Sequence, residues 1–272
     1  MQGLSISRAW EETRALLARD GKLFASVALA MIALPVTITG LINPSGMASM
    51  RDPVWIDIVM VICSLIVLSG QLALIRLALP PSTTVGAAIQ HGLVRMPVYL
   101  ASAILIALVL LLAALPLVVI LAALGAPTDE AQLVQSPIFL LVCFVYLLFL
   151  CFIAVRMIMG SPAASAEPIG PIAIVRRSWD MTAGHWWRLF AFLILFLVGA
   201  GILLIAVSTV AGTVISLFLG PLDPLSASAL ITSMIEAIFQ AAVSVIFAMM
   251  LARIYAQLSG RGAQPSVPSS GT

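Results

Sequence analysis

Residues 98–124 read VYLASAILIALVLLLAALPLVVILAAL, and no side chain in that run is charged. A helix needs about 20 apolar residues to cross the hydrocarbon core of a bilayer, and this stretch is longer. In lipid the backbone must satisfy its own hydrogen bonds, so such a run is a helix despite its wealth of Val, Ile and Leu. Working outward, comparable runs occur at about 23–42, 54–79, 137–159, 189–219 and 229–258. Pro35 and Pro116 fall inside the first and third runs and are expected to kink them. The composition agrees, at 62% hydrophobic and 9% charged with a mean hydropathy of +1.18. An ordinary globular chain is about 25% charged, so this one cannot cover a water-facing surface. That excludes a soluble enzyme, a secreted disulfide scaffold, a disordered chain and a nucleic-acid binder.

The expected fold is therefore all-α integral membrane. It forms one six-span domain over 1–258, followed by a Gly-, Pro- and Ser-rich tail at 259–272 that is expected to be disordered. The opening segment 1–22 carries Glu11, Glu12 and Asp20, and the apolar run after it exceeds the 7–15 residues of a signal-peptide core. It reads as a first span that stays.

Orientation follows from where the cations lie. With six spans, both termini and the second and fourth connections share one side. That side holds Arg8, Arg14, Arg19, Lys22, Arg76, Arg95, Arg156, Arg176, Arg177, Arg188, Arg253 and Arg261, twelve of the 13 Lys and Arg. Only Arg51 falls opposite, where Asp52, Asp129, Glu130 and Asp223 lie. The positive-inside rule then places both termini in the cytoplasm.

The spans also repeat in pattern. Each odd span is preceded by a polar segment of helical periodicity: Ile6, Ala9, Trp10, Thr13, Leu16 and Leu17 in the first; Val85, Ala88, Ile89, Leu93 and Met96 in the second; Ile172, Val175, Trp179 and Trp186 in the third. Such segments suit a helix lying at the membrane interface. A basic residue opens each odd span, and Arg76, Arg156 and Arg253 close the even ones. The expected architecture is three hairpins, each preceded by a cytoplasmic amphipathic interfacial helix. The repetition reads either as structural symmetry or as the same insertion rules obeyed three times.

Few polar groups lie inside the spans. In the sixth, Ser228, Thr232, Glu236, Gln240, Ser244, Ala248, Ala252 and Ala256 recur every four residues and form one slowly turning stripe. In the second, Asp57, Ser64 and Gln71 are spaced by seven, and in the fifth Ser208, Gly212 and Ser216 make a small-residue row. These faces are expected to meet around the bundle interior. Asp57 lies 19 residues before Arg76, and Glu236 lies 17 before Arg253, so both sit at similar depth. Intramembrane carboxylates are costly. The pair reads either as a proton- or cation-responsive site on a transport path, or as a headgroup-level aspartate and a glutamate hydrogen-bonded to Thr232, Gln240 or a neighbouring helix. Asp57, Ser64, Gln71, Thr232, Glu236 and Gln240 form the candidate intramembrane polar site.

Catalytic groups are sparse. His91 and His185 lie in the polar lead-in segments and read as headgroup-level residues. Cys63, Cys143 and Cys151 lie in apolar runs and read as packing hydrophobes. No metal-binding, phosphate-binding, dinucleotide or nucleophile-elbow motif occurs. Neither a cofactor, a metal nor a catalytic residue is expected.

The segment Ser178-Trp179-Asp180-Met181-Thr182-Ala183-Gly184-His185-Trp186-Trp187-Arg188-Leu189-Phe190 resembles the S-W-x-L-T-x-G-x-x-W-R-L-F signature of a bacterial membrane-domain family. That family includes the membrane domain beside some glycerophosphodiester phosphodiesterases and stand-alone inner-membrane proteins of the YciC type. Met181 stands where the signature has leucine. The resemblance implies the membrane part only, with no catalytic barrel: a six-helix bacterial inner-membrane protein. In it Trp179, Trp186 and Trp187 anchor an interfacial helix, Gly184 allows a bend, and Arg188 meets headgroups. The candidate lipid-headgroup contacts are Arg176, Arg177, Trp179, His185, Trp186, Trp187 and Arg188. Two functions compete. One is a non-enzymatic scaffold, assembly factor or partner subunit of the cell envelope, bound to membrane lipids and to another membrane protein or a second copy as a homo-oligomer. The other is a small transporter or lipid-handling protein using Asp57 and Glu236.

Overall fold

The computed structural model describes residues 5–44, 53–80, 83–125 and 130–260. Arg51, Asp52, Asp129, Arg261 and most of the expected tail lie outside these residues. The described chain is all helix and turn, in the order α1 (Ile6–Ile42), α2 (Val54–Ala78), α3 (Val85–Ala123), α4 (Glu130–Gln135), α5 (Pro137–Met157), α6 (Gly160–Ala166), α7 (Pro171–Thr182), α8 (Trp186–Leu219) and α9 (Ala227–Leu258). Six of them, α1, α2, α3, α5 with its continuation into α6, α8 and α9, are long and apolar enough to cross a membrane.

Local chemistry sets the boundaries. Ser5, Thr84 and Ser226 cap α1, α3 and α9 by accepting from the backbone N–H three residues on. Near Pro35 the ladder of α1 becomes a π-turn at Leu29–Ala33, where Leu34 N–H donates to Leu29 O. Proline has no N–H for the carbonyl four residues back, and the π-turn absorbs that loss.

The lead-in segments do not all stand apart from their spans. The first two are the opening turns of α1 and α3, continuous with the apolar runs that follow. Pro97 is accommodated inside α3. The third is the separate helix α7, released from α8 at Gly184, whose φ of +78° favours glycine. In the first, Ala9, Thr13 and Leu16 are buried while Arg8, Glu11 and Arg14 are exposed.

The spans divide into two classes. In α1, α2 and α9, 28%, 39% and 39% of the most apolar window is buried; in α3, α5 and α8 the figures are 0%, 6% and 11%. The core is thus built from the first, second and last spans, with Phe24, Val27, Ile32, Leu74, Ala237, Ala241, Val245 and Met249 inside it. The outer faces of α3, α5 and α8 carry Val119, Leu141 and Leu195 into the surroundings.

Small residues set the tightest crossings. A Cβ on Gly92 of α3 would stand 2.4 Å from Ser69 O of α2, and one on Gly70 of α2 would stand 2.7 Å from Met31 Cβ within the π-turn of α1. At the opposite end of the bundle, Leu225 N–H donates to Leu41 O at 2.9 Å.

These crossings overturn one expectation. Asp57, Ser64 and Gln71 are exposed and do not face the interior. The face of α2 that packs is the one with Ser69, Gly70 and Ala73, since these let α1 and α3 come closest. Gly212 of α8 is likewise buried, but against Leu222 of its own following loop rather than against the other polar faces. The stripe on α9 does turn inward at its ends, with Ser228, Thr232, Ala248, Ala252 and Ala256 buried.

Candidate functional site

The largest concentration of polar contacts lies at the arginine-rich end, around a segment that is neither span nor surface loop. Residues 160–170 read GSPAASAEPIG. Small side chains let α6 sink into the bundle, where Gly160, Pro162, Ala163, Ala164 and Ser165 are buried against α2, α3, α7 and α9. So short a helix leaves most of its carbonyls unpaired, and burial would make that expensive.

Two residues of α3, one turn apart, supply the missing donors. Arg95 Nε donates to Ala164 O at 2.8 Å, and its Nη2 donates to Glu167 O at 2.6 Å and Ile169 O at 2.8 Å. His91 Nε2 lies 2.9 Å from Ser165 O, which requires the tautomer with its proton on Nε2. From the other side, Ser165 Oγ donates to Leu72 O of α2 at 3.2 Å.

The segment ends at Glu167, whose Oε1 accepts from Tyr255 of α9 at 2.7 Å and from Arg177 of α7 at 3.1 Å. Burial pulls the Arg177 guanidinium down, but Glu167 and Tyr255 outweigh it and hold the group above its ordinary value. Glu167 thus ties three elements together. Tyr255→Phe should lower stability by about 1 kcal/mol, the net worth of one hydrogen bond, because Arg177 still serves the carboxylate. A denaturant titration in detergent measures this; a loss several times larger would mean that Tyr255 holds α9 in place.

The Ser178–Phe190 signature packs beside this seat. Ser178 Oγ donates to Arg156 O at 2.7 Å and Thr182 Oγ1 to the same carbonyl at 3.5 Å, fastening α7 to the end of α5. The Arg156 guanidinium lies 4.9 Å from the Trp179 ring and 5.4 Å from that of Phe152, a cation–π arrangement. Trp186 stacks on Phe190 with centroids 4.9 Å apart and on Phe152 at 5.9 Å. Trp179 and Trp186 are therefore engaged within the fold, while Trp187 is 75% exposed. Arg176 and Arg188 are also exposed, whereas Arg177 turns inward to Glu167, so the three arginines are not brought together. His185 Nδ1 lies 3.3 Å from Ala183 O.

The expected intramembrane site is placed as follows. Asp57 sits exposed in the first turn of α2, where the helix dipole favours a carboxylate. Ser64 and Gln71 line a cavity of about 310 Å³ between α1 and α2, together with Pro35 and Thr39. Ser64 Oγ returns its proton to Met60 O. Glu236 and Gln240 are half-buried on α9, and Thr232 Oγ1 is buried without a hydrogen-bond partner. The expected bond from Glu236 to Thr232 or Gln240 does not form. Among the described residues no group of three or more His, Cys, Asp and Glu could hold a metal ion.

Sequence reasoning missed the α6 seat. Glu167 reads as a helix-surface acid and Arg95 as a span-opening cation. The available signal was the run of small residues between Pro162 and Pro168, too polar for a span and too apolar for an exposed loop.

Fold and site together define a multi-pass membrane protein of six apolar helices, with a buried polar seat at its arginine-rich end. The family model for a domain of unknown function (DUF7847) matches residues 4–258, and the chain belongs to that family. No curated protein and no solved structure matches it.

Proposed function

We propose that the protein is a non-enzymatic partner subunit of a bacterial inner membrane, with both termini in the cytoplasm, that binds another membrane protein or a second copy through its sixth span. The observation that carries this reading is the row Thr232, Glu236 and Gln240. These three side chains stand one turn apart on α9 and make no hydrogen bond among the described residues; Thr232 Oγ1 is buried within the fold, so the half-buried Glu236 and Gln240 are the two that can reach a partner. Polar groups in a span are satisfied across helices, and a glutamate there marks a contact or a path. The neighbouring Met234 and Ile238 are exposed, at 48% and 52%, so the row borders the outward side of the bundle. The cation distribution supports the orientation, and the resemblance of Ser178–Phe190 to the YciC-type signature supports the membrane.

Glu236→Leu should weaken association by about 1–2 kcal/mol for each interhelical hydrogen bond lost, roughly tenfold, while the protein still accumulates. Native mass spectrometry and cross-linking of purified protein read this directly. Undiminished association in Glu236→Leu and in Gln240→Leu would sink the reading.

The cavity between α1 and α2 favours a second one, a lipid-handling or transport role, because it gathers Thr39, Ser64 and Gln71 beside the π-turn. Under that reading Gln71→Leu abolishes flux at normal expression and leaves association untouched.

A further inference from the structure

A second cavity, of about 470 Å³, opens at the arginine-rich end between α1, the end of α2 and α9. Its polar lining is Arg19, Asp20, Thr83 and Arg253, and its apolar lining includes Leu16 and Phe24. Arg19 is already paired with Asp20 at 2.8 Å. Arg253 is different. Among the described residues its guanidinium has no hydrogen-bond or ion-pair partner, and its Nε is buried. Thr83 Oγ1 is buried on the same cavity, also without a partner. Two guanidinium groups and one carboxylate leave one positive charge in excess. A guanidinium whose Nε is buried without a partner is costly, and its fork of donors matches the oxygens of a phosphoryl group. The volume falls in the range of small-molecule sites, about 300–1,000 Å³, and greatly exceeds what one water needs.

We infer that this cavity binds a phosphoryl anion, with Arg253 as its counter-charge and Thr83 as a second donor. The site lies at the opposite end of α9 from the Thr232–Gln240 row and does not depend on that row's role. The phosphoryl group can belong to a net-anionic phospholipid, whose glycerol and upper chains would meet Leu16 and Phe24, or to free phosphate.

The test uses full-length protein in detergent, offered mixed micelles of phosphatidylglycerol or phosphatidylcholine, with retained lipid counted by native mass spectrometry. Inorganic phosphate is titrated separately and followed by phosphorus NMR. Wild type should retain phosphatidylglycerol about tenfold better than phosphatidylcholine, and Arg253→Gln should lose that preference, as expected for charge-assisted bonds. Arg253→Lys should keep part of it. Arg253-dependent binding of inorganic phosphate without lipid preference also supports the site and names free phosphate as its source. Absence of both, or equal binding by wild type and Arg253→Gln, overturns the inference and leaves Arg253 to water or to Asp20. If Arg253→Gln does not fold by size exclusion, Thr83→Val takes its place: a loss of about threefold supports the site, and unchanged binding overturns it.

Discussion

Arg95→Leu should unfold the arginine-rich end. The substitution removes three hydrogen bonds to the carbonyls of Ala164, Glu167 and Ile169. Bonds to a charged donor are worth about 1.5–3 kcal/mol each, and they are not additive. A total near 4 kcal/mol is the expected loss, since Ala164 is buried and the carbonyls of Glu167 and Ile169 are half-buried. That corresponds to nearly a thousandfold shift in the folding equilibrium. The measurement is a denaturant titration in detergent, paired with limited proteolysis across residues 160–170. Early cleavage there, before the rest of the bundle opens, is the specific result. Arg95→Lys should recover only part of the loss, because one ammonium cannot reach three carbonyls as a guanidinium fork does. Equal stability of Arg95→Leu and wild type would mean that α6 is held by its small buried side chains alone.

Gly92→Val should be comparably severe for a different reason. A Cβ at that position meets Ser69 O at 2.4 Å and Ala73 N at 3.1 Å, both of them backbone atoms of α2. No side-chain rotation relieves such a contact, so the helices must separate. Overpacking costs typically 1–3 kcal/mol and occasionally more; here α2 belongs to the core, so the upper end or beyond is expected. Gly92→Ala already places the offending atom and should lose most of the same stability. Gly86→Ala is the internal control. It lies in the same helix with nothing within 4 Å of the added Cβ, and its helix propensity rises by up to about 1 kcal/mol. Thermal stability of the three variants should therefore rank Gly86→Ala at or above wild type and both Gly92 variants well below. If both positions behave alike, the α2–α3 crossing yields to an added Cβ and Gly92 is not what sets it.

The spans were legible in the sequence because one physical rule decides them: charge-free apolar length. The edges of α2 and α9 were legible to within a few residues for the same reason. Which face of a span packs was not. Asp57, Ser64 and Gln71 look like an inward stripe by polarity, yet the interior belongs to Ser69, Gly70 and Ala73. In lipid, apolar and polar faces no longer sort by water, and close approach of backbones selects the interior. The seat at α6 was hidden for another reason. Arg95 and Glu167 are 72 residues apart, and a hydrogen bond to a main-chain carbonyl leaves no mark on the identity of the residue that accepts it. The Gly184 bend, by contrast, could be read, since a positive φ restricts the residue type directly.

The division between a packed core and thinly packed outer spans has a consequence for how the protein is made. The core joins α1 and α2 to α9, and Ser5 N–H bonds to Gln257 Oε1 across 252 residues. The first helices to leave the ribosome therefore wait for the last. During that interval α3, α5 and α8 must be held by lipid or by the insertion machinery, because they bury little against one another. A stop codon between the fifth and sixth spans, at residues 220–226, would leave five spans inserted and their core without α9. Quality control should thus read this protein from its carboxyl end: completion of the sixth helix is the event that turns six inserted segments into one folded molecule.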